Sequence, residues 1–296
     1  MATRTFLGTS ADFNATANWS AATVPVDGDS FYIKDTAQSL STNIDQSGGG
    51  GDGLDPLDVI IAGTYSGSLG DVTNALKLDT LTGRLVVDVN GGPTQIIHLN
   101  TKGCPTTIVR NTGSNAYACI INGTHTAVYV YGGQSVRIGA SATITTLYVL
   151  TEANKPIPQV LIEAGATVTT INASAGTIRD MRTAPATVNL RGTAQYYSEA
   201  ASAATITALN AMGRSVAYLA GVGGTLTAGV VYDDAIVSSQ FEDASPSAWT
   251  YTAVTAFGGS VLVKDIDTVT AATAAGGFIP LIAKAGSGAV VISPGK

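Results

Sequence analysis

Residues 136–149 read VRIGASATITTLYV, and residues 160–173 read VLIEAGATVTTINA. The two stretches align without a gap as V-x-I-x-A-x-A-T-[IV]-T-T-[LI]. A repeat period of about 24 residues predicts a parallel β-solenoid, in which each short strand pairs with its equivalent one coil along. Weaker copies that begin at Val188 and Val216, at slightly longer steps, extend the pattern.

Alternation within the copies predicts which side chains face the core, because successive side chains of a strand point to opposite faces. Parallel crossovers are nearly always right-handed, so the expected fold is an all-β, right-handed parallel β-helix. A β-sandwich is the rival, since short strands at regular spacing are its signature too. Residues 198–213 form either a short helix or two further strands. The inward-facing set is predicted to be Val136, Ile138, Ile144, Val160, Ile162, Val168 and Ile171.

The composition fits this fold and disfavours several others. Charged residues make up only 12% of the 296 residues, about half the usual share, while β-branched residues and 34 glycines are abundant. The net charge of −6 with no run of Lys or Arg argues against a nucleic-acid partner. No apolar stretch reaches the length of a transmembrane helix, so we expect no membrane partner. The segment 1–20 lacks the apolar run of a secretory signal, so we expect synthesis and assembly in the cytoplasm.

Three zones follow along the chain. Residues 1–53 carry most of the early aromatic residues and end in the glycine-rich stretch 47–53, and we predict that they cap or attach the solenoid. Residues 54–235 are predicted to be the solenoid itself. Residues 236–296 change in character and are predicted to cap it or to mediate oligomerisation, because a solenoid end presents unpaired backbone groups.

The candidate catalytic and metal-binding residues are few. His98 lies inside the apolar strand QIIHL and His125 in a corner, and neither has the sequence context of a catalytic triad, so we predict structural roles. Cys104 and Cys119 form no metal motif, and we expect two small buried residues rather than a disulfide. The chain is therefore predicted to need no cofactor. Its nearest carboxylate pairs are Asp233 with Asp234 and Glu242 with Asp243.

Four aspartates surround the glycine-rich stretch and leave one metal question open. Asp45, Asp52, Asp55 and Asp58 could bind Ca²⁺, which prefers oxygen ligands. They occur once and do not follow the spacing of the calcium-binding β-helix repeat. A solvated hinge is the alternative interpretation.

Two stretches resemble phage virion proteins. NWSAATVPVDGDSFYI (18–33) is similar to a recurrent opening of these proteins and of some bacterial β-helical surface proteins. In this sequence Trp19 can plug the open end of the first coil, and Pro25 with Gly28-Asp29 can make the turn into an edge strand at FYI. GLDPLDVIIAGTYSGSLGD (53–71) resembles the first coils of head-associated β-helical proteins. The matching residues are Asn18, Trp19, Ser20, Val24, Pro25, Gly28 and Asp29, then Leu54, Leu57, Val59, Ile61, Tyr65, Ser66, Gly67 and Gly70.

The resemblance implies a non-enzymatic capsid decoration or cement protein, present on the virion surface as a homotrimer bound to the major capsid protein. A receptor- or glycan-binding tail spike or adhesin is the first alternative, and it should expose rows of aromatic side chains. A polysaccharide-degrading β-helix enzyme is the second, and it should bring carboxylates together on one coil face.

The aromatic N-terminal residues are the predicted capsid attachment site: Phe6, Phe13, Trp19, Phe31 and Tyr32. Aromatic side chains bury a large area in a short length of chain, which suits a contact that must survive release from the cell. The alternative is that these rings only close the first coil.

Overall fold

The computed structural model describes residues 1–48, 53–89, 94–111, 119–185, 187–240, 248–263, 267–276 and 289–293. These residues form parallel β-strands and two short 3₁₀ turns, Thr16–Asn18 and Ser20–Ala22, without an α-helix. Each strand pairs with one that lies a coil further along the chain, so the predicted parallel β-solenoid is confirmed. No helix in these ranges is long and apolar enough to cross a membrane.

The chain divides into two compact units, residues 1–160 and residues 161–296. The first unit contains β1 Thr3–Phe6, β2 Ser30–Ile33, β3 Asp45–Gln46, β4 Val59–Gly63, β5 Leu76–Thr80, β6 Arg84–Val89, β7 Ile97–Asn111, β8 Cys119–Val130 and β9 Val136–Val149. The strand β10, Gln159–Ile162, contains the boundary. The second unit contains β11 Thr167–Ala173, β12 Thr177–Asp180, β13 Thr187–Leu190, β14 Gln195–Ser198, β15 Ala204–Ala211, β16 Val216–Leu219, β17 Gly224–Tyr232, β18 Ile236–Ser238, β19 Trp249–Phe257, β20 Ser260–Leu262, β21 Thr268–Val269, β22 Ala271–Ala275 and β23 Ala289–Ser293.

In the first unit one sheet runs through β1, β2, β4, β6, β7, β8 and β9, and adjacent strands pair in parallel. Its register stacks one apolar residue per coil into a buried column, although the coils differ in length. Equivalent side chains lie about 4.8 Å apart, so the buried side chains of each coil pack against those of the next coil. The column consists of Phe6, Ile33, Ile61, Val87, Val109, Val130 and Val149.

The long strands β7, β8 and β9 bend and contribute to more than one face of the coil. At the bend in β8 the register with β7 and β9 shifts, and Gly123 adopts a positive φ of 90°. A Cβ atom at this position would lie 1.9 Å from the carbonyl oxygen of Thr101. Only glycine fits such a contact and conformation, so Gly123 fixes the corner.

The second unit is built in the same way, and its coils also differ in length. One sheet joins β11, β13, β15, β17, β19 and β22, and another joins β12, β14, β16, β18 and β20. The inward column of the first sheet places Ile171 beside Val188, and Val188 beside Leu209. The first of these two steps takes less chain than the second, so the corners between strands set the length of each coil.

All seven side chains predicted to face inward, from Val136 to Ile171, are buried. The two weaker repeat copies are wrong in phase. Val188 is stacked on Ile171 and Leu209, whereas Val216 is stacked between Gln195 and Ile236 on another sheet and is only half-buried. The step from Val188 to Val216 therefore does not correspond to one coil.

Two further expectations can be compared with the strands. Residues 198–213 contain the end of β14 and all of β15, so the strand alternative is correct and the helix is not. The segment FYI is not an edge strand, because β2 pairs with β1 on one side and with β4 on the other. Strands thus occur in both outer segments, 1–53 and 236–296, while the division of roles at residues 54 and 235 and the right-handed sense stay predictions.

Candidate functional site

The predicted attachment residues form a buried aromatic cluster. Phe6, Phe13, Trp19 and Phe31 are buried, and the ring centroid of Trp19 lies 5.0 to 5.6 Å from those of the other three. The indole Nε1 of Trp19 donates a hydrogen bond of 2.7 Å to the carbonyl oxygen of Phe13. These four rings contact one another, which supports the alternative that they close the first coil. Tyr32 differs, because it is only half-buried on the outer side of β2.

The motif around the cluster is held by two buried polar side chains. The side-chain oxygen of Asn18 accepts hydrogen bonds from the hydroxyl of Thr9 and the backbone N–H of Ser10. Asp29 accepts from the backbone N–H of Ala2 at 2.6 Å and from Nε of Arg4 at 3.1 Å. Burial raises the pKa of Asp29, but these donors outweigh it and hold the pKa below its usual value. Asp29 therefore ties β1 to the start of β2.

Three aspartates of the possible calcium site have separate partners. Asp45 accepts hydrogen bonds from Lys77 at 2.6 Å and Ser47 at 2.7 Å, and these donors lower its pKa. Asp55 accepts from the backbone N–H of Thr80, and Asp58 from that of Arg84. Asp52 lies outside the described residues. Within the described residues, no group of three or more His, Cys, Asp or Glu side chains could hold a metal ion.

Both histidines are fixed within the coils. Nδ1 of His98 donates to the carbonyl oxygen of Asp71 at 2.7 Å, and its Nε2 accepts from the amide of Asn122 at 2.9 Å. Nε2 of His125 donates to the carbonyl oxygen of Asn122 at 3.0 Å, and its Nδ1 accepts from the hydroxyl of Thr107 at 2.8 Å. Burial lowers the pKa of His125, so its ring is neutral near pH 7. These contacts fit the predicted structural roles.

The remaining candidate groups are the two cysteines and the two carboxylate pairs. Cys104 and Cys119 are free and buried as expected, and burial raises the pKa of both thiols, that of Cys119 to about 12. Asp233 and Asp234 are exposed in a corner. Glu242 and Asp243 lie outside the described residues.

Sequence reasoning missed a buried ion pair in the second unit. The guanidinium of Arg182 donates from Nε and Nη2 to the two carboxylate oxygens of Asp180, at 2.8 and 2.7 Å. Its Nη1 donates to the carbonyl oxygen of Val168, and the hydroxyl of Tyr196 donates to Asp180 at 3.0 Å. The sequence DMR gives no sign of burial, because the same spacing is common on exposed strands. Arg182 and Tyr196 donate to acceptors inside the protein, so this network joins three strands and is structural.

Two kinds of ordered polar arrays lie on the outer side of the second unit. Asn210 donates to Asn189, and Asn189 donates to Asn172, each at 2.8 Å between side-chain amides. Threonines stack in the column Thr205, Thr225, Thr250 and Thr268, with a second threonine two positions further along each time. Threonine suits an outward strand position because its β-branched side chain fits the pleat and its hydroxyl contacts water.

The outer side of the first unit carries a different array. One residue from each of six consecutive coils lies on the outward side of its strand, between two buried neighbours, and each is partly exposed. Parallel register places the six side chains in one line. We call this line the outward stripe: Tyr32, Ile60, Val86, Ile108, Tyr129 and Tyr148.

The tyrosine end of the outward stripe is a flat aromatic surface. The rings of Tyr129 and Tyr148 are stacked, with centroids 4.6 Å apart and planes 4° from parallel. Tyr131 lies beside Tyr129 at 6.2 Å with its plane tilted by only 8°. A second stacked pair, Tyr197 and Tyr218, lies on the second unit at 4.7 Å. Such surfaces can contact another protein or the apolar face of a sugar ring.

Comparison of the chain with protein-family models, with curated proteins and with solved structures finds no match. Any role for the outward stripe and its stacked tyrosines is therefore inferred from their geometry alone.

Proposed function

We propose that this chain is a non-enzymatic structural protein of a phage particle that binds the capsid surface as a homotrimer. The observation that carries the structural role is the use of the buried polar groups. Asp29, His125 and the Asp180–Arg182 pair all contact partners within the coils and hold neighbouring strands together. The ordered outer surfaces are then available to a partner.

The virion assignment is supported by the residues that resemble phage proteins. In the structure these residues have definite roles at the start of the solenoid: Trp19 is buried among three phenylalanines, and Asp29 ties the first two strands together. The same is true of the second stretch, in which Val59 and Ile61 are buried in β4 and Tyr65 donates to the carbonyl oxygen of Ser68. The resemblance thus coincides with the part of the chain that begins the stack.

Purified particles provide the direct test of this proposal. Density-gradient-purified particles of the source phage should contain the protein in the capsid fraction, in a copy number that is a multiple of three. When the purified protein is added to particles that lack it, the protein should bind these particles and sediment with them. Its absence from purified capsids, or recovery only with isolated tails, would contradict the proposal.

The attachment surface can be separated from the buried cluster by choosing exposed residues. Leu7 and Val26 are 53% and 55% exposed and lie in the same N-terminal segment as the buried rings. If this segment faces the capsid, Leu7→Asp and Val26→Asp should weaken sedimentation with particles at least tenfold and leave the circular-dichroism spectrum unchanged. Val72, which is 51% exposed, provides the matched control Val72→Asp. Equal binding of all three variants would move the contact to another segment.

The stacked tyrosines favour a second candidate, a glycan- or receptor-binding spike or adhesin. Tyr129, Tyr131 and Tyr148 form the kind of aromatic row on which sugar rings stack. Host polysaccharide that bound the wild type, and bound Tyr148→Ala at least tenfold more weakly, would support this function. Release of oligosaccharide during the same incubation would instead indicate an enzyme.

A further inference from the structure

The outward positions of one sheet in the second unit carry a regular array of threonines. Strands β15, β17 and β19 each hold two threonines, exposed or half-buried, on either side of a buried residue, and the same pair recurs one coil further along, beginning in β21. Parallel register stacks each threonine on its equivalent in the next coil, so the eight hydroxyl groups form two columns. We call these residues the threonine array: Thr205, Thr207, Thr225, Thr227, Thr250, Thr252, Thr268 and Thr270.

Strand preference alone does not account for this array. Another sheet of the same unit has equivalent outward positions on β12, β14, β16 and β18, and its residues are mixed. One of its columns contains Thr177, Gln195, Val216 and Ile236. Valine, isoleucine and glutamine thus fit the same pleated surface, so eight threonines in eight equivalent positions indicate a use for the hydroxyl group itself. The first unit has the same pairing in two coils, Thr124 with Thr126 and Thr143 with Thr145.

The hydroxyl groups of the threonine array are available to water. Within the residues that the structure describes, none of them hydrogen-bonds another group of the chain. The asparagine column of the second unit is different, because Asn210, Asn189 and Asn172 hydrogen-bond one another. A β-branched side chain also has few χ1 angles open to it. The array therefore presents oxygen atoms whose positions are set before anything binds, which reduces the entropy lost on binding.

The spacing of the threonine array matches that of ice in two directions. Neighbouring coils place equivalent oxygens about 4.8 Å apart, and positions i and i+2 of a parallel strand lie about 6.6 Å apart. Tetrahedral hydrogen bonds of about 2.75 Å between waters give oxygen repeats in ice of about 4.5 Å within a layer and about 7.3 Å along the hexagonal axis. Over four coils the first difference adds up to about 0.9 Å, and the second is about 0.7 Å. Both are about a third of a hydrogen-bond length or less, so the two columns stay in register with one face of ice.

We propose that the threonine array is an ice-binding surface. The array contains no charged residue, and a charged group would keep a hydration shell of its own that does not fit the lattice. Its eight methyl groups leave liquid water when ice covers them, which favours the bound state. This activity goes beyond the proposed structural role and does not depend on it.

Incorporation of the full-length protein into ice tests the proposal. When a solution of the protein is frozen slowly on a cooled surface, the wild type should be enriched in the ice, and it should hold a single ice crystal without growth over a measurable range of supercooling. Thr227→Tyr and Thr252→Tyr place a bulky ring at exposed positions in the middle of the array and should lower the enrichment at least tenfold, with unchanged circular dichroism. Gln195→Tyr is the matched control, because it adds the same ring at an exposed outward position of the other sheet. It should be enriched like the wild type.

A second variant keeps the test independent of how the ring is tolerated. Thr227→Arg places a long side chain that can extend into water from the folded strand, and it should also abolish enrichment. Exclusion of the wild type from ice would overturn the inference, and so would equal enrichment of the wild type and all three array variants. Binding to crystalline cellulose without enrichment in ice would overturn it in favour of a polysaccharide surface. Capsid binding is a separate measurement, so failure of either result leaves the other standing.

Discussion

Replacing Arg182 with methionine should destabilise the protein far more than replacing Arg179, although the two arginines are close in the chain. Arg182 is 3% exposed and its partner Asp180 is fully buried, with two charged hydrogen bonds of 2.8 and 2.7 Å between them. In Arg182→Met the carboxylate of Asp180 keeps Tyr196 but loses its counter-charge in the core. Breaking a buried pair from one side costs about 3–5 kcal/mol.

Arg179 provides the matched control. It donates to Glu199 at 2.8 Å, but the two side chains are 61% and 26% exposed. Water screens such a pair, so Arg179→Met should cost less than about 1 kcal/mol. The short distance is the same in both pairs, but the Asp180–Arg182 pair is buried and has the further contacts to Val168 and Tyr196.

The assay is equilibrium urea unfolding followed by circular dichroism, with the variants compared at the midpoint. The double variant Asp180→Asn with Arg182→Met removes both charges and leaves the asparagine an oxygen to accept from Tyr196. It should recover part of the stability lost in Arg182→Met alone, because no uncompensated charge remains. Equal loss in Arg182→Met and Arg179→Met, or no recovery in the double variant, would refute the reasoning from burial.

Three further predictions concern the first unit. Trp19→Ala should lower the free energy of unfolding by about 3–5 kcal/mol, because it empties the centre of the aromatic cluster; calorimetry should show the loss, and an unchanged melting temperature would contradict the packing. The folded pKa of His125 lies below its ordinary 6.5, so the unfolded chain binds more protons below pH 6.5. Stability should therefore fall as the pH drops below 6.5. His125→Gln should remove that part of the pH dependence and leave the slope above pH 6.5 as it is in the wild type; urea midpoints of wild type and variant that change in parallel from pH 7.5 to 5 would contradict this. Cys104 and Cys119 should resist alkylation by iodoacetamide in the native protein at pH 8 and react fully in urea, as mass spectrometry would show, because burial excludes the reagent and raises both thiol pKa values; rapid native labelling would count against their burial.

The core could be predicted from the sequence because burial follows local alternation. Val136, Ile138, Val160 and Ile162 are apolar at every second position, and a strand has no other way to bury such a set. Corner residues such as Gly123 determine where a strand bends. Their effect depends on contacts with the previous coil, for instance with the carbonyl oxygen of Thr101, so it was not visible in the local pattern.

The lines of side chains that run from coil to coil, such as the outward stripe, could not be predicted because the coils differ in length. The step from Tyr32 to Ile60 takes much more chain than the step from Tyr129 to Tyr148, so a search at one fixed period aligns the outward stripe wrongly. The same irregularity caused the error in the weaker repeat copies. The asparagine array was missed for this reason, since its hydrogen bonds exist only once the register is known. The buried Asp180–Arg182 pair required knowledge of burial that a polar sequence does not give.

The aromatic N-terminal residues show that one sequence signal is compatible with two roles, attachment and closure of the first coil. Trp19 and its neighbours stood out because aromatic residues are concentrated there, and they do form a compact cluster. Phe6, Phe13, Trp19 and Phe31 are buried, whereas Tyr32 lies on the outward stripe, and the part of these residues in capsid attachment stays a prediction. Leu7 is exposed and can be changed without opening this cluster, so it is a better test of attachment than the buried rings.

Electron cryomicroscopy of capsids assembled with and without this protein is the direct test of the proposed virion role. We expect extra density on the capsid surface only in particles that contain the protein, at positions of threefold symmetry and with the volume of three copies of the chain. Identical capsid surfaces in the two reconstructions would contradict the virion role.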